Sequence, residues 1–256
     1  RRLRSVQSAV DYAPQSMSPS PYPGVSILMP AYQLEATIGD NIERVAAVVA
    51  EWADPEIIVI DDGSTDETRG FAEKAATAAG IASVVGYATN RGKGGALKEG
   101  FSYSTGQTVV FLDADLDLPP EQLPVFLDSF YGAGVDVLVG AKRSAMIPGR
   151  YPALRRILSV TFATVNRFLF RLPIRETQTG LKVFRRDALQ DTLPRLETER
   201  YAFDLELLAR IRRAGGTMAE EPVTLAPGSS GGLSLGTLWE MGRDTIKIWI
   251  RSFKWE

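Results

Sequence analysis

The stretch "VFLDADLDLPPE" places Asp113, Asp115 and Asp117 at every second position, after the apolar run 109–112 and before Pro119 and Pro120. Like charges that close repel one another. The run before them reads as a buried strand, and carboxylates at the mouth of such a strand need a partner. A divalent cation supplies one. Oxygen ligands at alternate residues of an extended segment can converge on one ion, and that ion can also bridge a diphosphate. The plainer reading is a solvated acidic turn, which leaves the buried strand unexplained. A third chemistry, that of the aspartyl-phosphate phosphatases, uses a similar pair of acids. It places them after the first strand and usually follows them with Thr. Here they follow the fourth apolar run and continue as Leu116-Asp117.

Three further clusters carry chemistry. In "IVIDDGSTDET" the adjacent Asp61 and Asp62 end an apolar run, Gly63 allows a tight turn, and Ser64, Thr65 or Asp66 can cap a helix. Capping accounts for Thr65 and Asp66 but not for two acids side by side, which can accept hydrogen bonds from a base or ribose. "NRGKGGALKEG" is glycine-rich around Lys93 without being a P-loop. No Gly lies five residues before Lys93, and Gly94 stands where Ser or Thr should be. Its backbone amides and Lys93 can still bind a nucleotide or diphosphate. Arg143, Arg155 and Arg156 read singly as surface charge, and together as a set suited to phosphate.

Composition narrows the chemistry. The chain has 256 residues, 45% hydrophobic and 23% charged, as in a soluble globular protein of one large domain or two coupled halves. It has no Cys, which excludes disulfides and thiolate metal sites. It has no His, which removes the commonest general base and the commonest zinc ligand. Any metal must be held by oxygen, pointing to Mg²⁺ or Mn²⁺. A net charge of −2 argues against a nucleic-acid-binding face. No run of about 18 uninterrupted apolar residues is present, so no membrane-spanning helix is expected.

These residues need elements to hold them. Residues 1–23 read as a mobile arm, with Ser and Pro clustered near its end. From Gly24 apolar runs alternate with helical patterns. "VSILMPAY", "EIIVIDD", "ASVVGYA", "TVVFLDAD" and "VDVLVGAKR" read as strands. Between them come helices at 40–53, where Ile42, Val45, Val48, Val49 and Trp52 share a face, at 66–80 with Gly80 as the stop, from Gly94 onward, and at 119–134. Alternation of this kind means a parallel sheet covered by helices, with ligands at the carboxyl ends of the strands. Pro30–Glu35, Asp61–Ser64, Asp113–Asp117 and Arg143 all fall on that edge. The second half is less regular. It holds a long arginine-studded helix over 154–172, a short strand and helix start in "ETQTGLKVFRRDAL", a helix in "YAFDLELLARIRRAGG" and a strand in "AEEPVTLAP". An amphipathic helix follows over 235–255, with Leu235, Leu238, Trp239, Ile246, Trp249, Ile250 and Phe253 on its apolar face.

Together these motifs resemble the family 2 inverting glycosyltransferases of the GT-A fold, and most closely their polyprenyl-phosphate sugar synthases, such as the dolichyl-phosphate mannose and glucose synthases. The resemblance runs over 25–227 in one order. It rests on Pro30-Ala31-Tyr32-Gln33-Leu34-Glu35, one residue longer than the family's opening motif, on "DDGSTD" at 61–66, on "NRGKGGAL" at 90–97, on "TQTGLKVFRRDAL", and on "YAFDLELL" at 201–208. The stretches at 90–97 and 201–208 look like the glucose-type branch. The resemblance implies an α/β, Rossmann-like, mostly parallel sheet flanked by helices. Residues 24–228 would form the catalytic domain, 24–143 being its nucleotide-sugar half and 144–228 its acceptor half; 229–256 would form a loop and an interfacial helix. Pro30, Tyr32, Glu35, Asp61, Asp62 and Lys93 would line the nucleotide pocket, with Asp113 and Ala114 near the ribose and sugar. Asp113, Asp115 and Asp117 would hold the metal. Arg143 would act in catalysis with Asp113 and Asp115, and with Arg155 and Ser159 it would contact the acceptor phosphate. One departure is that "GSSGGLS", before Leu235, carries no basic residue where relatives often have one facing the phosphates.

The implied reaction moves a hexose, with glucose leading, from a nucleotide diphosphate sugar to a polyprenyl monophosphate. The acceptor oxygen attacks C1 from the face opposite the diphosphate. An acceptor phosphate is already ionised near neutral pH, so the absence of His fits. The lipid tail demands a membrane surface, and the expected location is peripheral, on its cytoplasmic face. Helix 154–172 and the C-terminal stripe suit an interface, with Trp239, Trp249 and Trp255 as anchors; otherwise they pack on the core or on a second copy of the chain. Two rivals stand beside this reading. One is a nucleotide-sugar-binding module without catalysis. The other is a soluble transferase acting on a sugar or protein hydroxyl, which would need a carboxylate base such as Asp204 or Glu206.

Overall fold

In a computed structural model, which describes residues 22–142, 164–200, 202–227 and 235–255, the apolar runs form seven strands. They are β1 (Val25–Ala31), β2 (Glu56–Asp62), β3 (Ala82–Tyr87), β4 (Thr108–Leu112), β5 (Val137–Lys142), β6 (Leu181–Arg185) and β7 (Met218–Val223). The helices are α1 (Ile38–Val49), α2 (Thr68–Ala79), α3 (Lys93–Tyr103), α4 (Leu123–Ala133), α5 (Arg186–Gln190), α6 (Phe203–Arg213) and α7 (Leu235–Ser252). Residues 164–170 are also helical.

The strands make one sheet in the order β3-β2-β1-β4-β6-β5-β7. Every pairing is parallel except those of β6, which runs antiparallel to β4 on one side and β5 on the other. The expected α/β class with a mostly parallel sheet is therefore observed. β4 has β1 as its parallel neighbour on one side, but no parallel strand of the first half on the other. Thr108 to Leu112 pair with Arg185 to Leu181, so a strand from the second half is wedged between β4 and β5. The two halves share one sheet.

Side chains alternate across that sheet, as the strand period requires. Ile27, Met29, Ile57, Val59, Val110, Leu112, Leu181 and Val183 face α1, α2 and α4. Leu28, Ile58, Ile60, Val109, Phe111, Val137, Val139 and Phe184 face α3, α6 and Ile248 of α7. The result is three layers, helix on sheet on helix. Gly80 ends α2 at φ +72°, as its position at the end of the pattern predicts. Helix α1 ends at Val49, short of the expected Ala53. Asp54, at φ +49°, precedes Pro55, and a residue before proline is pushed out of the helical region. Tyr22, read as part of the mobile arm, is buried instead. Its ring lies 5.0 Å from that of Trp52, and its hydroxyl donates to Asp128 Oδ1 (2.7 Å).

Helix α7 docks on the sheet's second face through Thr245 and Ile248, which are buried. Arg251 donates to Glu197 Oε2 (2.8 Å), and Arg210 lies 4.2 Å above the Trp255 ring. Trp255 is thus packed inward, against the expectation of an interfacial anchor. The side chains of Leu235, Leu238 and Trp239 lie outside the described residues.

Helices α3 and α6 meet end to end beside the carboxyl edge of the sheet. The Gly94 N–H donates to the Glu199 carbonyl (2.8 Å), and a Cβ at Gly94 would overlap the Phe203 ring. A rigid ring and a backbone oxygen leave no room to yield. Gly94→Ala is expected to lower stability by about 1–3 kcal/mol through overpacking, read as a reduced unfolding temperature.

Candidate active site

The carboxyl ends of β1, β2 and β4 lie side by side, so the loops that follow them converge. A cleft opens there. It is lined by Pro30 and Ala31 at the end of β1, Tyr32 and Leu34 after it, Asp62 at the end of β2, Lys93 at the start of α3, and Asp113, Ala114 and Asp115 after β4. Of the expected residues, Pro30, Tyr32, Asp62, Lys93, Asp113, Ala114 and Asp115 are gathered here. Glu35, Asp61 and Asp117 are not among the lining residues. Arg143, Arg155 and Ser159 lie outside the described residues.

Two loops are laced together to form one wall. The Gln33 and Leu34 N–H groups donate to Ser64 Oγ (3.1 Å) and Thr68 Oγ1 (2.7 Å). The Glu67 N–H donates to Glu35 Oε2 (3.0 Å). Glu35 is therefore turned toward α2, where it ties the loops, and Leu34 faces the cleft in its place. Asp61, buried at the end of β2, accepts the Ser64 N–H (3.0 Å). Asp66 accepts the Thr68 N–H (3.1 Å), so of the three capping candidates it is the one that serves the start of α2.

Asp62 holds the loop that delivers Lys93. Its Oδ1 accepts from the Tyr87 hydroxyl (2.7 Å) and the Arg91 N–H (2.8 Å). Its Oδ2 accepts from Asn90 Nδ2 (3.0 Å) and the Gly92 N–H (2.9 Å). Each oxygen is occupied twice, so its part in the site is to fix the loop before Lys93.

At the end of β4 the chain does not stay extended. The Leu116 N–H donates back to the Asp113 carbonyl (3.1 Å), and Leu116 lies at φ +50°. Leu116 and Leu118 are buried and pin this turn, and Asn41 Nδ2 holds the Ala114 carbonyl (2.8 Å). The alternate-residue argument for three converging carboxylates needs an extended segment, and the turn removes it. Among the described residues no three carboxylates are grouped as a metal would require. The expected trio reduces to Asp113 and Asp115, while Asp117 donates its N–H to Asp115 Oδ1 (3.2 Å) and accepts the Ala226 N–H (2.8 Å) with its carbonyl.

The charges in the cleft are paired unevenly. Lys93 Nζ lies 2.5 Å from Asp113 Oδ1. Burial pushes the Asp113 carboxyl up, but Lys93 outweighs this and holds it below the usual carboxylate range. Burial works against the charge of Lys93, yet Asp113 and then Asp204 hold it above the ordinary lysine range. Asp115 has no such partner. Burial and the Asp113 charge raise its proton affinity. Two oxygen-only ligands, one of them without a cationic partner, would suit a hard divalent cation.

Sequence reading missed Lys182. It is 1% exposed in the centre of the sheet and donates to Asp204 Oδ1 (2.7 Å) and the Thr179 carbonyl (2.6 Å). The signal was present: a lysine that shares its strand face with Phe184 needs a buried carboxylate opposite. Asp204 and Glu206, the carboxylates considered as bases, are both buried in α6. Glu206 accepts from the Thr198 N–H (2.9 Å) and Arg210 Nε (2.9 Å). Gly180, just before β6, makes room for Asp113. Its carbonyl accepts the Asp113 N–H (3.2 Å), and a Cβ there would overlap the carboxylate.

Removing Asp62 strands the Arg91 and Gly92 N–H groups and frees the loop before Lys93. Asp62→Ala is expected to cost about 1–3 kcal/mol of stability and to weaken nucleotide binding about tenfold, measured by thermal unfolding and calorimetry.

Residues 26–193 match the model of the family described as glycosyl transferase family 2. The chain is similar to human dolichyl-phosphate beta-glucosyltransferase, 30% identical over 91% of this chain and 76% of that protein. It is similar to glycosyltransferase AglD of Haloferax volcanii, 29% identical over 88% of this chain, which spans only 37% of that relative's length. Its fold matches that of glucosyl-3-phosphoglycerate synthase from Mycobacterium tuberculosis in complex with Mn²⁺, UDP and glucosyl-3-phosphoglycerate. The TM-score is 0.68 at 24% identity, over 90% of this chain and 79% of that one. With its strand-end acids and glycine-rich lysine loop lying within or beside the matched span, the chain belongs to glycosyl transferase family 2.

Proposed function

We propose that this glycosyltransferase moves a hexose, glucose in the first instance, from a nucleotide diphosphate sugar to a polyprenyl monophosphate with inversion at C1. The observation that carries the acceptor class is the state of the carboxylates. A sugar or protein hydroxyl needs a base to remove its proton. Asp204 is locked to Lys182, Glu206 is enclosed, Asp113 is held by Lys93, and Asp115 would be taken up by the cation in this reading. An acceptor phosphate arrives ionised and needs none of them. The intact Asp113 and Asp115 at the cleft speak against a binding module without catalysis.

Within this reading Tyr32, Pro30 and the laced loops take the nucleoside, and Lys93 meets the diphosphate as it departs. Asp113 and Asp115 would hold Mg²⁺ or Mn²⁺, which would supply charge neutralisation to the leaving diphosphate. Arg143 and Arg155, with Ser159, would orient the acceptor phosphate. Glucose is favoured by the glucose-type motifs at 90–97 and 201–208 and by the similarity to a dolichyl-phosphate beta-glucosyltransferase. GDP-mannose is the alternative donor.

The acceptor's lipid tail requires access to a bilayer. Among the described residues no helix is long and apolar enough to cross a membrane. On α7, however, the face beside Thr245 and Ile248 carries Ile246, Trp249, Ile250 and Phe253. Their exposures are 57%, 36%, 56% and 67%. This stripe, bordered by Arg243, Lys247 and Lys254, has the pattern of a helix lying in a lipid interface. Nucleotide-sugar donors favour the cytoplasmic face.

A screen of UDP-glucose and GDP-mannose against a short polyprenyl phosphate and simple sugars tests the reading. Transfer to the phosphate with β-linkage is expected, and transfer only to sugar hydroxyls would reject it. Asp115→Ala should lower turnover by roughly 10²-fold or more while the unfolding temperature holds. For the interface, Ile246→Glu with Ile250→Glu should abolish flotation with anionic liposomes. Exposed substitutions of this kind change stability by only about 0.5 kcal/mol.

A further inference from the structure

Lys182 and Asp204 do not line the cleft, yet they stand next to the residues that do. Lys182 projects from the middle of β6 toward α6, between the paired strands β4 and β5. Asp204 lies in the first turn of α6, where the helix N-terminus favours a carboxylate. The same end of α6 touches the start of α3, because the residue after Lys93, Gly94, bonds to Glu199 and rests on Phe203. Lys93 is therefore bound to one carboxylate and within electrostatic reach of a second. One, Asp113, has a side chain 37% exposed; the other, Asp204, has one 8% exposed.

The competition between them is unequal. An unpaired carboxylate costs far more when buried than when it reaches water. Left alone, Asp204 would have the stronger claim on the nearest cation. Lys182 meets that claim from the other side, anchored by the Thr179 carbonyl. An apolar side chain would fill the same space without the cost of burying an ammonium, so packing alone does not account for a lysine there.

We propose that Lys182 is a positioning residue: by occupying Asp204 it leaves Lys93 to Asp113, at the mouth of the cleft, where its ammonium is available to a diphosphate. The electrostatic reach of Asp204 to Lys93 agrees with this. The diphosphate part rests on the reading of the cleft given above; the placement of Lys93 does not.

The test is a set of variants read by calorimetry with UDP and with GDP in the presence of Mn²⁺, and by crystallography. Lys182→Met should weaken nucleotide binding about tenfold, the scale of one charge-assisted contact, and its crystal structure should show Lys93 moved to Asp204. Lys182→Met with Asp204→Asn removes the competitor. Affinity should return to within about threefold of the parent, with Lys93 back on Asp113. In a Lys93→Met background, adding Lys182→Met should change affinity no further. A pair that merely staples β6 to α6 would leave the double variant as weak as the single one, and that result overturns the proposal. So does Lys93 remaining on Asp113 in Lys182→Met. If the single variant does not fold, the double variant alone decides, because a positioning role requires its recovery. If neither nucleotide binds the parent protein, the reading of the cleft fails, while the crystallographic position of Lys93 still settles this one.

Discussion

The contact between the Asp113 carboxylate and the Lys93 ammonium organises the cleft. Asp113 is placed by the end of β4, by the backbone bond to Gly180 on the antiparallel strand beside it, and by the absence of a side chain at Gly180. Lys93 is placed by a loop whose amides converge on Asp62 and by the packing of Gly94 on α6. Strands β2, β4 and β6 and helices α3 and α6 thus meet through two opposite charges. A parallel sheet makes this possible, since it brings several strand ends to one edge, and the wedge of β6 carries the second half of the chain to the same place.

The distribution of carboxylates shapes the chemistry more than their number. Asp62 is saturated by four donors, Glu206 is enclosed, and Asp204 is paired. Among the described carboxylates that line the cleft, Asp115 is the one left with its charge raised in energy by burial and by a like neighbour. A site arranged in this way is suited to receiving positive charge and phosphate. With Asp115 committed to that positive charge, none of these carboxylates is left to take a proton from a hydroxyl. That asymmetry is what supports the proposed acceptor, which is already an anion.

Much of this was legible in the sequence because it rests on short-range rules. Apolar runs ending in acids gave the strands and their ligand edge, and Gly80 marked the end of α2. What was not legible depends on three-dimensional neighbours. Nothing local says that residues 181–185 will enter the sheet between β4 and β5, because strand order is set by the whole core. The spacing of Asp113, Asp115 and Asp117 suggested three ligands, but the buried Leu116 and Leu118 turn the chain and separate them. Glu35 carries a family motif, yet the extra residue before it goes with a left-handed Gln33 and a side chain turned to α2. Lys182 was the clearest omission, since a lysine amid Leu181, Val183 and Phe184 already implied a buried partner.

The account's central claim is that the two acids after β4 and the lysine before α3 form one site for a cation and a nucleoside diphosphate. Calorimetric titration of UDP and GDP into the protein, with and without Mn²⁺, measures this most directly. The account predicts that one of them binds and that Mn²⁺ tightens it at least tenfold in the parent protein but not in Asp115→Ala. Equal affinity with and without Mn²⁺, or the same gain in the variant, would contradict it.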